Sequence, residues 1–445
     1  MAPPATTTRP TPTPWRSAGV LAGLALTLPV DLAVTAAALL TTRPPRPAPA
    51  AQPRTVLISG GKMTKALQLA RSFHAAGHRV VLVEKATYRF TGHRFSRAVA
   101  AFHVVPDPRD PGYAQALLDV VRAEGVDLYV PVCSPVASEF DAAAADLLSG
   151  ECEVLSLDAE MVRTLDDKHR FTELAASLGL GVPDTHLITS ADQVLDHDFT
   201  GATKPYVLKS IAYDPVHRLD LTPLPLPSRA ATEQFLAGKP ISPENPWILQ
   251  EFVTGTEICT HSTARDGVVT VWCCCPSSAF QVNYAQVERP RIREWVTTFV
   301  RELGLTGQVS FDFLEDAEGN PYAIECNPRT HSAITMFHDH PAHPGLADAY
   351  LGTRDTPLEP LPGSRPTYWL YHELWRALSA PRTARERWRV VRAGKEAVFD
   401  RADPLPYLVL HHVQIPLLLL ASLRSRGAWM RIDFNIGKLV QPAGD

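Results

Sequence analysis

Gly307–Ser332 reads GQVSFDFLEDAEGNPYAIECNPRTHS. Its apolar–polar alternation, broken at Glu318-Gly319-Asn320, predicts two strands joined by a Gly-bearing turn, an antiparallel hairpin. Side chains two positions apart share a face of a strand, so Glu325 and Asn327 point the same way. Pairing of the strands brings Asp312 beside them, while Ile324 and Cys326 are expected on the core side. Two carboxylates and an amide oxygen suit a hard cation such as Mg²⁺, with Mn²⁺ as a substitute, that keeps waters and bridges phosphates. Arg329 continues the alternation and offers a planar, permanent cation to a phosphoryl group. The alternative is a plain hairpin with solvated acids.

Upstream residues extend the set. Lys209 ends the apolar strand PYVLK (205–209), and Lys168 lies in DDKHRF (166–171), within a helical region predicted over 158–178. A strand lysine is usually solvated, but one ending YVL is better placed to meet phosphates. WILQEFVTGTE (247–257) is a strand entering a Gly turn, able to show backbone groups to an adenine edge, with Glu257 placed for ribose hydroxyls.

The chain before this set alternates strand and helix. Thr55–Ser59 is a strand, Gly60-Gly61 turns into a helix over 64–76, and a strand follows at 79–84. Continuation through 116–123, 128–132 and 137–148 predicts a parallel, doubly wound sheet. Ser59-Gly60-Gly61-Lys62 is no P-loop, because Val56 and Met63 stand where Gly and Ser/Thr are needed; a tight turn or a substrate-touching helix start remains. After residue 205, strand-like runs separated by Gly turns predict antiparallel hairpins and a second, α+β domain. Ser134 at the end of a first-domain strand, Arg218 in the segment after Lys209, and His331 and Ser332 behind Arg329 are candidate substrate contacts.

The 445 residues, 45% hydrophobic and 20% charged with net charge −4, exclude wholesale disorder and argue against a dedicated nucleic-acid binder. Seven cysteines, three adjacent at 273–275, are no disulfide framework and suit a reducing compartment. Neighbouring strand residues face opposite ways, so Cys273–Cys275 reads as a packed strand rather than a metal site.

The Asp312/Glu325 spacing, the Glu-x-Asn pair, the two lysines and QEFxxGxE (250–257) together resemble the ATP-grasp superfamily, over roughly residues 54–352. That resemblance implies a doubly wound pre-ATP-grasp domain (54–157) and an ATP-grasp domain (158–352) of two α+β lobes clasping ATP. By it, Asp312, Glu325 and Asn327 hold Mg²⁺, and Lys168 and Lys209 hold the ATP phosphates. Gln250, Glu251 and Val253 form the adenine hinge, Glu257 takes the ribose, and Arg329 clamps the transferred phosphate. Catalysis then rests on Arg329 and Lys209. One departure is the segment after Lys209, SIAYDPVHRLDLT, where many members carry a Gly-rich lid.

Longer runs narrow the likeness. VLISGGKMTKALQLARSFHAAGHRVVLVE (56–84), YVPVCSPVAS (129–138), HSTARDGVVTVWCCCPSSAFQVNY (261–284) and IECNPRTHSAITMF (324–337) resemble the mycosporine-glycine synthases. So do the apolar N-terminal segment and IDFNIGKLV (432–440). The resemblance implies a C–N ligase that couples glycine to 4-deoxygadusol, a small cyclic vinylogous acid, at the expense of ATP. The rival expectations are a ligase for a true carboxylate and an amine, and an ATP-binding protein without turnover.

The ends read differently. Residues 1–17 and 41–53 are rich in Pro, Ala and Thr, and between them Ala18–Leu40 has one charge, Asp31. It is long enough to span a bilayer, although Pro29 and Asp31 weaken that reading. A signal anchor, a re-entrant segment, a cleaved signal peptide and a plain apolar helix stay open. Arg43, Arg46, Arg54, Lys62 and Lys65 outnumber Arg9 and Arg16, which puts the remainder of the chain at the cytoplasmic face of the cell membrane. In the C-terminal region (353–445), Arg376–Lys395 holds seven basic residues and one acid, Glu386, as an interfacial basic helix would. The apolar run 405–423 contains Pro406 and Pro416, and is expected to lie in the interface or against the catalytic domain.

Overall fold

The computed structural model describes residues 14–132, 137–212, 217, 220–277, 283–339 and 345–441. Helix α1 (Pro14–Thr41) precedes a five-stranded parallel sheet of β1 (Thr55–Ile58), β2 (Arg79–Lys85), β3 (Ala101–Val105), β4 (Leu128–Val130) and β5 (Glu153–Val154), ordered β3-β2-β1-β4-β5. Helices α2 (Thr64–Ala75), α3 (Tyr113–Glu124) and α4 (Ser138–Leu148) connect its strands. The expected doubly wound sheet is present. Strand β3 was not expected, because AFHVV is short and carries a histidine. Gly60 turns β1 into α2 at φ 66°, and a Cβ there would lie 2.0 Å from the Val132 carbonyl oxygen, so only glycine fits.

The helical region expected over 158–178 is two helices, α5 (Ala159–Asp166) and α6 (Lys168–Ser177). Asp167 divides them, because its carboxylate accepts from the backbone N–H of His169 and Arg170 and so caps a new helix. Strands β6 (Thr185–Ile188), β7 (Tyr206–Ser210) and β8 (Trp247–Glu251) form an antiparallel sheet ordered β6-β8-β7, covered by α7 (Ala191–Leu195) and α8 (Arg229–Leu236). A four-stranded antiparallel sheet, ordered β10-β9-β12-β13, follows: β9 (Thr256–Arg265), β10 (Val268–Pro276), β12 (Gly307–Glu315) and β13 (Pro321–Asn327). Between β10 and β12 come β11 (Asn283–Tyr284) and α9 (Pro290–Glu302). Cys273, Cys274 and Cys275 are all buried within β10, as a packed strand requires.

An aromatic cluster joins α6 and α9 to β12. Trp295 stacks on Phe299 at 5.3 Å, Phe299 meets Phe311 edge-on at 5.3 Å, and Trp295 meets Phe313 at 5.2 Å. Phe311 and Phe313 point into this core, so strand geometry turns the intervening Asp312 to the other face.

The chain returns through α10 (Gly345–Leu351), β14 (Thr367–Tyr368), α11 (Leu370–Ser379), α12 (Ala384–Ala393) and β15 (Lys395–Glu396), with β14 pairing both β11 and β15. Next come α13 (Leu405–Val409), a π-helical turn over Leu410–Gln414, α14 (Ile415–Ser425) and a hairpin of β16 (Arg431–Asp433) and β17 (Lys438–Val440). Tyr407, Leu410, Ile415, Leu419, Trp429 and Phe434 share one core with Val56, Leu67 and Phe73. The apolar run 405–423 thus packs against the rest of the chain along one side.

Candidate functional site

Asp312 and Glu325 face each other in register across β12 and β13. The amide of Asn327 donates to Asp312 Oδ2 at 3.3 Å, and the Arg329 guanidinium donates to Asn327 Oδ1. A bulge intervenes. The register passes from Asp312↔Glu325 to Phe313↔Ala323, so Ile324 is the extra residue. Ala323 and Cys326 therefore face the core and Ile324 is only half-buried, which corrects the simple alternation of Ile324 with Cys326.

Lys168 opens α6, where a cation opposes the helix dipole. It is held there by Glu325, with Nζ 3.2 Å from Oε1. Glu325 raises the Lys168 pKa above the ordinary lysine value. Burial acts to raise Glu325, but Lys168, Arg329 and Lys209 outweigh it and leave its carboxyl below the usual range. Asp312 is pushed up to about 7, by burial first and then by Glu325 and Glu257. Two carboxylates and an amide supply hard oxygen donors that fit a divalent cation, with Lys168 and Arg329 occupying Glu325 and Asn327 in its stead.

Lys209 sits on β7 with its ammonium 2.9 Å from Gln250 Oε1, and burial lowers its pKa to about 8. Gln250 is buried on the neighbouring β8, and its amide also donates to Thr185 Oγ1 at 3.1 Å. Glu251 pairs with Tyr206, and its side chain turns away to Lys204 at 3.2 Å. The Phe252 N–H bonds the Pro205 carbonyl at 2.7 Å, after which the buried Val253 leaves the sheet. Gly255 makes that turn possible, since a Cβ would come within 2.2 Å of the Glu315 carbonyl oxygen. Glu257 on β9 lies opposite Leu314 of β12, and Ser277 Oγ donates to it at 3.1 Å. Lys168, Lys209, Glu257, Asp312, Glu325 and Arg329 thus form one electrostatic cluster.

Ser134 and Arg218 lie outside the described residues. His331 and Ser332 are in place, within a polar group that sequence reasoning had only half found. The His331 N–H donates to His261 Nδ1 at 3.3 Å, and the Ala333 N–H donates to His331 Nδ1 at 3.3 Å. Both rings therefore carry their proton on Nε2. Burial first, with nearby cations, lowers His331 to about 3 and holds His261 well below the ordinary range. Lys65, on the first turn of α2, donates to the Thr330 carbonyl, and Asn435 donates to Ser332 Oγ at 2.7 Å. His261 Nε2, Thr330 Oγ1 and Asn435 Oδ1 are buried without hydrogen-bond partners among the described residues. Asp166, which sequence reasoning passed over, takes the other side of Arg329 at 3.3 Å. Its position two residues before Lys168 was the available signal.

No protein-family model and no curated protein matches the chain. Solved structures do. The biotin carboxylase domain of Hydrogenobacter thermophilus 2-oxoglutarate carboxylase superposes with a TM-score of 0.52 and 13% identity, over 69% of this chain and 72% of that one. PurK, an N5-carboxyaminoimidazole ribonucleotide synthetase, gives 0.52 and 15% over 73% and 82%. Campylobacter jejuni biotin carboxylase gives 0.52 and 14% over 68% and 72%. At such identities the likeness concerns architecture, and by that architecture the chain has the ATP-grasp fold.

Proposed function

We propose that this chain is an ATP-dependent C–N ligase that phosphorylates the enol oxygen of 4-deoxygadusol and couples glycine, giving mycosporine-glycine, ADP and phosphate. The observation that carries the ligase reading is the convergence of Lys168, Lys209, Asp312, Glu325, Asn327 and Arg329, from α6, β7, β12, β13 and the segment after β13, into one charged cluster. Support also comes from the structural neighbours, whose crystals hold MgADP and ADP. The long runs quoted above support the choice of substrates.

In this reading Lys168 and Lys209 neutralise the ATP phosphates, the backbone at Glu251–Val253 takes the adenine, and Glu257 takes the ribose. Mg²⁺ held by Asp312, Glu325 and Asn327 would offset charge on the transferred phosphoryl group. The enol oxygen attacks the γ-phosphorus, an O–P bond forms, the bridging P–O bond breaks, and ADP leaves. Arg329 holds the phosphoryl oxygens through this step, with Asp166 fixing its second nitrogen. The glycine amine then adds to the carbon bearing the phosphate, loses a proton, and phosphate departs with the C–O bonding pair. No protein nucleophile is needed, so catalysis is positioning and charge neutralisation. In this reading the Nε2–H groups of His261 and His331 donate to oxygens of the acceptor, beside the Lys65 charge.

Purified protein incubated with ATP, Mg²⁺, 4-deoxygadusol and a panel of amino acids tests this. The expected result is one ADP per adduct, with glycine preferred, followed by mass and near-UV absorbance. ADP release with a carboxylic acid and an amine, but never with 4-deoxygadusol, would assign the site to another acid.

A further inference from the structure

Helix α1 is apolar over its exposed side, and most of the residues it buries are polar. Its buried residues include Ser17, Asp31 and Thr35, whereas Trp15 (89% exposed), Leu26 (80%), Val30 (63%) and Leu40 (86%) face outward. A surface helix in water shows the reverse pattern. On the buried side Asp31 and Ser17 are firmly partnered. Tyr371 donates to Asp31 Oδ2 at 2.7 Å, and His412 Nε2 lies 2.7 Å from the same oxygen. Trp429 Nε1 donates to Ser17 Oγ at 2.8 Å, and the Arg16 guanidinium lies 4.2 Å over the Trp429 ring.

The elements that grip α1 expose apolar side chains of their own. These are Trp375 (52%) and Leu378 (76%) on α11, and Leu417 (44%) and Leu420 (40%) on α14. Beside α11 lies α12, where Arg385, Arg389 and Arg392 are exposed and have no carboxylate partner among the described residues. In the same helix Arg387 does have partners, Glu373 and Glu386.

We infer that α1, α11, α12 and α14 form an in-plane docking surface for an anionic lipid bilayer. The apolar side of α1 enters the acyl region, its polar side stays fastened to the protein, and the α12 arginines rest on lipid phosphates. Two arguments select this occupant. A second copy of the chain would set arginine against arginine, whereas an anionic bilayer offers apolar chains and negative headgroups along one plane. A spanning α1 would have to part Asp31 from Tyr371 and His412 or carry them into hydrocarbon, where polar groups are costly. Lying in plane keeps the latch closed, which resolves the conflict between the long apolar run and its single carboxylate.

The test uses the full-length chain. Flotation with vesicles of phosphatidylcholine, with and without 30% phosphatidylserine, should show binding at least tenfold tighter to the anionic vesicles and weakening as salt rises. Leu26→Glu/Val30→Glu should abolish flotation, and Arg385→Gln/Arg389→Gln/Arg392→Gln should remove the preference for anionic lipid. Nucleotide turnover in detergent serves as the folding control for both, since none of these residues lies in the candidate site. Membranes from expressing cells should release the protein to carbonate. Retention after carbonate would overturn the in-plane placement. A full-length chain that never floats, or a dimer in detergent-free buffer that Leu26→Glu dissociates, would overturn the lipid assignment.

Discussion

Lys168 Nζ lies 3.2 Å from Glu325 Oε1, so a lysine expected to meet phosphate is held by a carboxylate expected to meet metal. Each group masks the other. Nucleotide and Mg²⁺ binding together would part the pair and give each a partner of higher charge, so the two ligands should bind cooperatively.

Replacing either carboxylate tests that arrangement. Glu325→Gln and Asp312→Asn should each lower adduct formation by about 10²–10³-fold, the scale for loss of one electrostatic contact to a transferring group. Thermal melting should hold or rise for Asp312→Asn, because burial and Glu325 already strain the Asp312 charge, and should fall for Glu325→Gln, which leaves Lys168 without its partner. Chelation of Mg²⁺ should stop the wild-type enzyme, with activity restored on adding Mg²⁺ back. Initial rates across a Mg²⁺ titration, with melting curves, check both points. Wild-type turnover by either variant at limiting Mg²⁺ would remove the metal assignment.

Arg329→Lys keeps a charge but loses the two-pronged contact with Asn327 and Asp166. The expected outcome is a fall in kcat of about 10–100-fold with KM for ATP little changed, since in the proposed function the interaction lost belongs to the transferring phosphate. Steady-state kinetics in both substrates separate the two parameters. An unchanged kcat would make Arg329 structural.

Lys209 carries its own pH signature. With its pKa lowered to about 8 by burial, it is charged below that pH and neutral above it. In the proposed function ATP meets the charged form, so KM for ATP should be flat below pH 8 and rise above it by about tenfold per unit. Lys209→Arg stays charged and should flatten that limb. A pH profile of KM for the two proteins decides the matter.

The hairpin, both lysines and the turn after QEF were visible in local pattern, because each rests on alternation or a breaker residue within a few positions. Three features were not. The bulge at Ile324 depends on the β12 register, which alternation in β13 alone cannot encode. The division of 158–178 hangs on one Asp167 side chain turning back to cap α6. The Lys65–Thr330 contact spans 265 positions, and no local period reports such a distance.

The aromatic cluster behind Asp312 also went unread, since Trp295 and Phe299 meet Phe311 and Phe313 only through tertiary packing. Phe299→Ala should cost about 3–5 kcal/mol, the usual price of an emptied aromatic site. A shifted denaturant midpoint at constant m-value checks this, and a change below about 1 kcal/mol would mean that the core closes over the gap.

The C-terminal hairpin bears on how the molecule is made. The Asn435 carbonyl takes hydrogen bonds from Thr64 at the start of α2, across 371 positions, and Gln414 donates to Gly437 at 2.8 Å. An emerging chain on the ribosome can pair β1 with β2 early, yet α2 gains these neighbours only once residue 435 has been synthesised. Long-range closure of this kind is slow. Nascent chains halted before residue 435 should therefore be open to protease at the α2 start, however well the later sheets have folded.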